Sequence, residues 1–427
     1  MKFLYQDSNL LENEIVETIE TLKPYLDHLQ KVAEDKKYIF DESSLNLAFD
    51  DQILSSIQEL VGEKVTPKLK YIIDIGIGGS NLGTKAVYDA LYGYADVLEP
   101  NRYPKILFAD TNDPEFLGKL ISRLFSQFKD PDEVLINAIS KSGGTTETIV
   151  NLEVVIQNLK SKFPNILERL VITTDEGSKL WVKAKELGVE VLPIPKLVGG
   201  RFSVFSSVGL FPLLSAGLDV EALRNGALAS QGECLQGGIG NPALVSAVIL
   251  YLQSKNGKAI NDNFFFHPEL ESLGKWYRQL QGESIGKVNT GITPTVSIGS
   301  TDLHSMAQLY LGGPKDKLTT FVASFKSAEV LIPQDLIFPL VEGIAGKSTE
   351  TVMRAIYEGT KEAYRKNNLP FMEVILDDLS EKSLGEYLQF KMMEMMFLGH
   401  LLNVNTFDQP AVEDYKQFTK VILNKGS

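Results

Sequence analysis

The stretch Asn137-Ala138-Ile139-Ser140-Lys141-Ser142-Gly143-Gly144-Thr145-Thr146-Glu147-Thr148 joins an apolar run ending near Ile139 to a helical pattern that resumes by Ile149-Val150-Asn151-Leu152. The run reads as a buried strand and the pattern as a helix. Between them stand five hydroxyl side chains, two glycines and one lysine. A loop of this kind presents backbone N–H groups at the positive end of the helix dipole, a seat for phosphate. The hydroxyls add donors and Lys141 adds a full charge. The same residue types also start an ordinary capped helix. No Gly-Lys-Ser/Thr closes the glycine run, so the loop is not that of a P-loop nucleotide hydrolase.

The strand–loop–helix unit recurs on both sides of this stretch. Upstream, Tyr71 to Ile75 reads as a strand, Asn81 to Tyr92 as a helix, Ile106 to Ala109 as a strand and Pro114 to Leu124 as a helix. Downstream come Leu170 to Thr173 and Val189 to Pro193 as strands, with Ser178 to Leu187 as a helix between them. After Asn241-Pro242 the alternation starts again, with strands expected at Ala259 to Phe265, Thr295 to Ile298, Leu318 to Ala323 and Phe371 to Leu376. Long helices are expected at Thr349 to Lys366 and Leu384 to Leu402. Short apolar runs separated by amphipathic helices predict an α/β protein with parallel sheets covered on both faces. The expected organisation is a helical layer over 1–60, α/β domains over 61–236 and 241–405, and a C-terminal helix over 406–427. Gly237-Gly238-Ile239-Gly240 is the expected linker.

Composition narrows the function. A formal net charge of −13 argues against nucleic acid or an acidic membrane as partner. No apolar run approaches the ~20 residues of a membrane span, and Met1 to Asp7 does not begin a signal peptide. Cys234 is the only cysteine, which fits a reducing cytoplasm. His28, His267, His304 and His400 do not fall in metal-ligand spacing, so no metal is expected. A second glycine loop, Gly76-Ile77-Gly78-Gly79-Ser80-Asn81, follows the first strand of the alternation. Asn81 stands where a dinucleotide fingerprint has its third glycine, which disfavours a dehydrogenase.

Five blocks carry a resemblance. Gly76 to Ser80, Ser140 to Thr145, Val198-Gly199-Gly200-Arg201-Phe202-Ser203, Gln281-Gly282-Glu283-Ser284 and Phe407-Asp408-Gln409-Pro410-Ala411-Val412-Glu413 resemble, in order, the blocks of glucose-6-phosphate isomerase (phosphoglucose isomerase). The length is similar to that of the shorter bacterial members. The resemblance implies two sugar-isomerase domains (flavodoxin-like, three-layer αβα) and reversible conversion of glucose 6-phosphate to fructose 6-phosphate, with no cofactor. It implies that Glu283 is the base and that Arg201 stabilises the enediolate. It implies that His304 opens the sugar ring and that Lys416 assists it. Phosphate would be held by Ser140, Lys141, Ser142 and Thr145, with Ser80 and the Gly79 backbone nearby. Gln279, one turn before Glu283, can face the same pocket, and Gly200 permits close backbone approach to it. The family is commonly dimeric, so the resemblance also implies a homodimer with His304 supplied by the neighbouring subunit. Two alternatives stay open: a non-catalytic sugar-phosphate-binding regulator, and an isomerase that also accepts mannose 6-phosphate.

Overall fold

A computed structural model describes residues 1–326 and 329–425 of the chain; the last two residues of the expected 406–427 segment lie outside it. Strands are numbered along the chain from β1 (Lys2–Leu4). The first sheet holds β2 (Tyr71–Ile75), β3 (Lys105–Ala109), β4 (Val134–Ile139), β5 (Leu170–Asp175) and β6 (Glu190–Ile194). Its order is β3-β2-β4-β5-β6 and every pair is parallel. The second sheet holds β7 (Ile260–Phe265), β8 (Thr293–Ile298), β9 (Lys317–Ser324) and β10 (Phe371–Leu376), parallel in the order β8-β7-β9-β10. Both sheets therefore follow one plan, in which the first strand of each lies between its second and third.

Period-2 burial explains why these runs are strands with two covered faces. In the first sheet Ile73, Ile75, Ile136 and Ala138 enter one core, while Ile72, Leu135 and Val171 enter another. In the second, Phe264, Phe266, Phe321 and Phe371 pack on one side. Phe265, Leu318, Val322 and Met372 pack on the other, in the same core that receives Ile72 and Leu135. One continuous core thus joins the inner faces of the two sheets, and the Met-rich helix Glu381–Leu401 runs buried through it. Met392, Met393, Met395 and Met396 are core residues.

Two features depart from the sequence reading. The 1–60 segment is largely helical (Glu12–Thr21, Lys23–Asp35 and Asp51–Lys64 among its elements), but it begins with β1, which pairs antiparallel with β10 through Phe3 and Val374. Three residues are too few to show a period, and the unpaired edge of β10 decides their state. Residues 204–236, to which periodicity assigns no element, hold helices Ser207–Ser215 and Val220–Cys234. The first is buried almost all round, so it has no polar stripe, and Gly209 and Pro212 read as breakers.

Candidate active site

Parallel strands aim their carboxyl ends at one edge, and the loops leaving that edge build the site. After β2 the chain turns through Gly78–Ser80 into helix Leu82–Leu91. Gly78 has φ +59°, a left-handed conformation that suits glycine, and a Cβ there would lie 2.9 Å from Nε2 of Gln279. Gly79 rests directly on the Gly200–Phe202 turn: a Cβ would lie 2.2 Å from the Gly200 carbonyl carbon and 2.4 Å from the Arg201 nitrogen.

After β4 the chain enters Ser140–Thr145 and then helix Thr146–Lys160. The Ser140 and Thr145 hydroxyls lie 2.9 Å apart, and the Thr145 N–H donates to Ser140 Oγ at 3.3 Å. Thr145 occupies the N-cap position without its side chain bonding the first helical turn. That turn keeps its N–H groups open, as does the first turn after Asn81. Ser178, by contrast, caps its own helix by accepting from the Trp181 N–H at 3.1 Å. Lys141 and Ser142 line a cavity of ≈ 750 Å³ together with Asp175, Ser178 and Lys196. Burial lowers the Lys141 ammonium below the ordinary lysine range, and Asp175 opposes that shift.

Arg201 is the centre of the second cluster. Its side chain is 2% exposed. Such a charge needs its donors filled. Nε donates to Ser284 Oγ at 2.9 Å, and Nη1 donates to Gln409 Oε1 at 3.0 Å and Glu283 Oε2 at 3.3 Å. Nη2 donates to the carbonyls of Thr406 and, at 3.1 Å, Asp408. Burial lowers the Arg201 pKa, while Glu283 and Asp408 work against that. Helix Glu271–Ile285 carries both Gln279 and Glu283. Gln279 Nε2 donates to Glu283 Oε1 at 3.1 Å, so both carboxylate oxygens of Glu283 have a partner. Gln279 Oε1 is buried with no partner among the described residues.

Among the described residues, no hydrogen bond or ion pair links His304 or Lys416 to this cluster. His304 follows the short turn Thr301–Leu303 beyond β8, is exposed, and makes no side-chain hydrogen bond among the described residues. Lys416 sits on helix Glu413–Asn424 and pairs with Glu413 at 2.7 Å. His267 lies 3.4 Å from Glu269, and His400 stacks on Tyr25 with ring centroids 4.3 Å apart.

A sequence profile described as phosphoglucose isomerase matches residues 49–427. The chain belongs to the phosphoglucose isomerase family. It is 37% identical over 349 residues to the glucose-6-phosphate isomerase of Methanocaldococcus jannaschii, covering 81% of this chain and 82% of that one. It is 35% identical over 383 residues to that of Carboxydothermus hydrogenoformans, covering 86% and 82%. Among solved structures, a hypothetical protein of Thermus thermophilus superposes with a TM-score of 0.86 at 30% identity, covering 99% of this chain and 100% of that one. A glucose-6-phosphate isomerase of Chlamydia trachomatis shares the fold, with a TM-score of 0.75 at 23% identity over 90% of this chain and 75% of its own.

For this member of the phosphoglucose isomerase family, four of the five sequence blocks meet at one guanidinium. Gly79 packs beside Arg201, and Glu283, Ser284, Thr406, Asp408 and Gln409 accept its hydrogen bonds. Ser284 and Gln409 stand in those blocks, yet sequence alone assigned them no role. The signal was their company, because a buried arginine requires several acceptors. No signal in the sequence marks the carbonyls of Thr406 and Asp408 as acceptors.

Proposed function

We propose that the chain isomerises glucose 6-phosphate and fructose 6-phosphate reversibly through a cis-enediol(ate), a step of glycolysis and gluconeogenesis, at the Arg201–Glu283 cluster. The carrying observation is the buried Arg201 guanidinium held beside the Glu283 carboxylate. In the aldose-to-ketose direction Glu283 takes the proton from C2 and returns one to C1, while a proton moves from the C2 hydroxyl to O1. Negative charge on the enediolate oxygens is met by the field of Arg201, whose five N–H groups already have acceptors in the protein and hold it fixed and shielded from water, so little reorganisation accompanies the step. Gln279 orients Glu283 and offers Oε1, its unpartnered acceptor, to a substrate hydroxyl. Ser140, Lys141, Ser142 and Thr145 hold the phosphate with the open N–H groups of helix Thr146–Lys160, and Ser80 and the Gly79 backbone complete that side. Gly200 gives the sugar close approach to the backbone.

His304 and Lys416 open the ring, and His304 comes from a second copy of the chain in a homodimer. Support for a dimer lies in the exposure of His304 and in helix Glu413–Asn424, which has no buried residue and leaves Phe418 and Ile422 uncovered. The two domains are read as 61–236 and 241–405, with β1 added to the second. The reading places the protein in the cytoplasm; none of the described helices is long and apolar enough to cross a membrane. The test is a coupled assay of purified protein with fructose 6-phosphate, following glucose 6-phosphate by its oxidation. Steady turnover is expected. Tight binding without turnover would instead identify a sugar-phosphate-binding regulator, and parallel assay with mannose 6-phosphate defines the range of sugars.

A further inference from the structure

Lys287 closes the Gln281-to-Lys287 stretch, two residues beyond helix Glu271–Ile285, and its side chain is 9% exposed. An ammonium has three donors, and each has found an acceptor here. Nζ donates to the Ser284 carbonyl at 3.2 Å and to the Asn405 carbonyl, and it pairs with Asp408 Oδ1 at 3.0 Å. The first acceptor belongs to the end of the helix that carries Glu283. The other two belong to the strap 405–409, which also supplies three of the acceptors of Arg201: the Thr406 and Asp408 carbonyls and Gln409 Oε1. Asp408 is thus gripped twice, by Arg201 at its carbonyl and by Lys287 at its carboxylate. Phe407 packs on Phe202 with ring centroids 5.4 Å apart, and its N–H is turned back onto Asn405 Oδ1 at 2.8 Å.

We propose that Lys287 is a positioning residue of the isomerase: by tying Asn405 and Asp408 to the end of the Glu283 helix, it keeps the strap on Arg201 and the guanidinium aimed at Glu283. The proposal rests on the roles given above to Arg201 and Glu283. Lys287 itself has no route to substrate through these contacts, since its three donors are occupied within the protein. Its removal leaves the Ser284 and Asn405 carbonyls without their partner and lets the half-exposed Asp408 carboxylate swing to solvent. Arg201 keeps Ser284 and Gln409, so the guanidinium stays bound but is less well aimed. A small misplacement of a charge-stabilising group affects the transition state more than the bound sugar phosphate, whose phosphate is held elsewhere.

The test uses the full chain with Lys287→Met, Asp408→Asn and the double variant, assayed beside wild type and Glu283→Gln at a temperature where all are folded. Lys287→Met is expected to lower kcat by about 10- to 100-fold with KM within about threefold, the range that slight misplacement produces. Because the Asp408 carboxylate acts through its contact with Lys287, the double variant should be no more than about twofold worse than Lys287→Met. A kcat near wild type in Lys287→Met, a loss carried by KM alone, or multiplicative losses in the double variant overturns the proposal. If Lys287→Met does not yield folded protein, Lys287→Arg and Asp408→Asn carry the test, and wild-type kcat in both overturns it. An inactive wild type, or a Glu283→Gln variant with full activity, overturns the underlying reading of the site as well. Failure of Lys287 alone leaves that reading standing.

Discussion

Nη1 of Arg201 lies 3.3 Å from Oε2 of Glu283, although 82 positions separate the two residues in the chain. One comes from a turn beyond the first sheet and the other from a helix between the strands of the second. Their meeting places a fixed positive charge beside a carboxylate that stays 31% exposed and so remains reachable by a ligand. This is the arrangement that proton transfer next to a developing oxyanion requires.

Glu283→Gln keeps the shape of the side chain and an acceptor for Arg201 but removes the carboxylate proposed above as the base. Turnover is expected to fall by about 10²- to 10⁴-fold. Exchange of the C2 proton of glucose 6-phosphate with solvent should fall in parallel, with little change in substrate affinity. Proton exchange at the wild-type rate, followed by NMR in deuterated buffer, would place the base elsewhere.

Gly79 and Gly200 face each other, yet their tolerances should differ. A methyl group at Gly79 would meet backbone atoms at 2.2 and 2.4 Å, whereas one at Gly200 would find its nearest neighbour, the Gly79 Cα, at 3.4 Å. Gly79→Ala must push the two turns apart, at a cost of about 1–3 kcal/mol in unfolding free energy. Gly200→Ala makes ordinary contact and should change stability by about 0.5 kcal/mol or less. Denaturant unfolding of the two variants checks this, and equal losses would contradict the packing of the turns.

If His304 is supplied across a two-fold dimer, Glu283→Gln and His304→Ala proteins should complement each other. After dissociation and reassociation, roughly half the dimers are mixed, each with one doubly damaged site and one intact site. Activity should rise from near zero to about a quarter of wild type. Verified mixed dimers as inactive as the parents would mean that each chain builds its site alone.

Asp74 is buried in β2 beneath the glycine loop, and burial pushes its carboxyl up to about 8 despite the hydrogen bond from Asn137 Nδ2 at 2.7 Å. In the unfolded chain it titrates near ~3.9. Between these values the folded protein holds a proton that the unfolded chain has released. This group's contribution to stability is therefore largest below about pH 4 and is lost as pH rises towards 8, by at most about 1.4 kcal/mol per pH unit. Asp74→Asn, which keeps one acceptor and one donor, should flatten that decline and raise stability at pH 8 relative to pH 5. Urea unfolding at the two pH values reads it, and an unchanged pH dependence would show that Asp74 does not titrate in this window.

The sequence by itself determined the two alternating halves, the loops at the carboxyl ends of β2 and β4, and the family. Strand and helix periods record which faces are buried, and glycines and hydroxyls at a strand-to-helix junction record what the loop must approach. Glu283 and Arg201 were legible because each stands inside a recognisable block, and Gln279 because it lies one helical turn before Glu283. Tertiary structure decided what has no local period. The open edge of β10 made a strand of Lys2–Leu4, and all-round burial made helices of residues that read as broken by Gly209 and Pro212. The acceptors of Arg201 were invisible for a related reason. Two are backbone carbonyls, a group every residue carries, so only the return of the chain at 406–408 selects them. Whether His304 and Lys416 reach Glu283 is likewise set by the fold, which spacing along the chain does not encode; among the described residues neither bonds to it, and Lys416 pairs with Glu413.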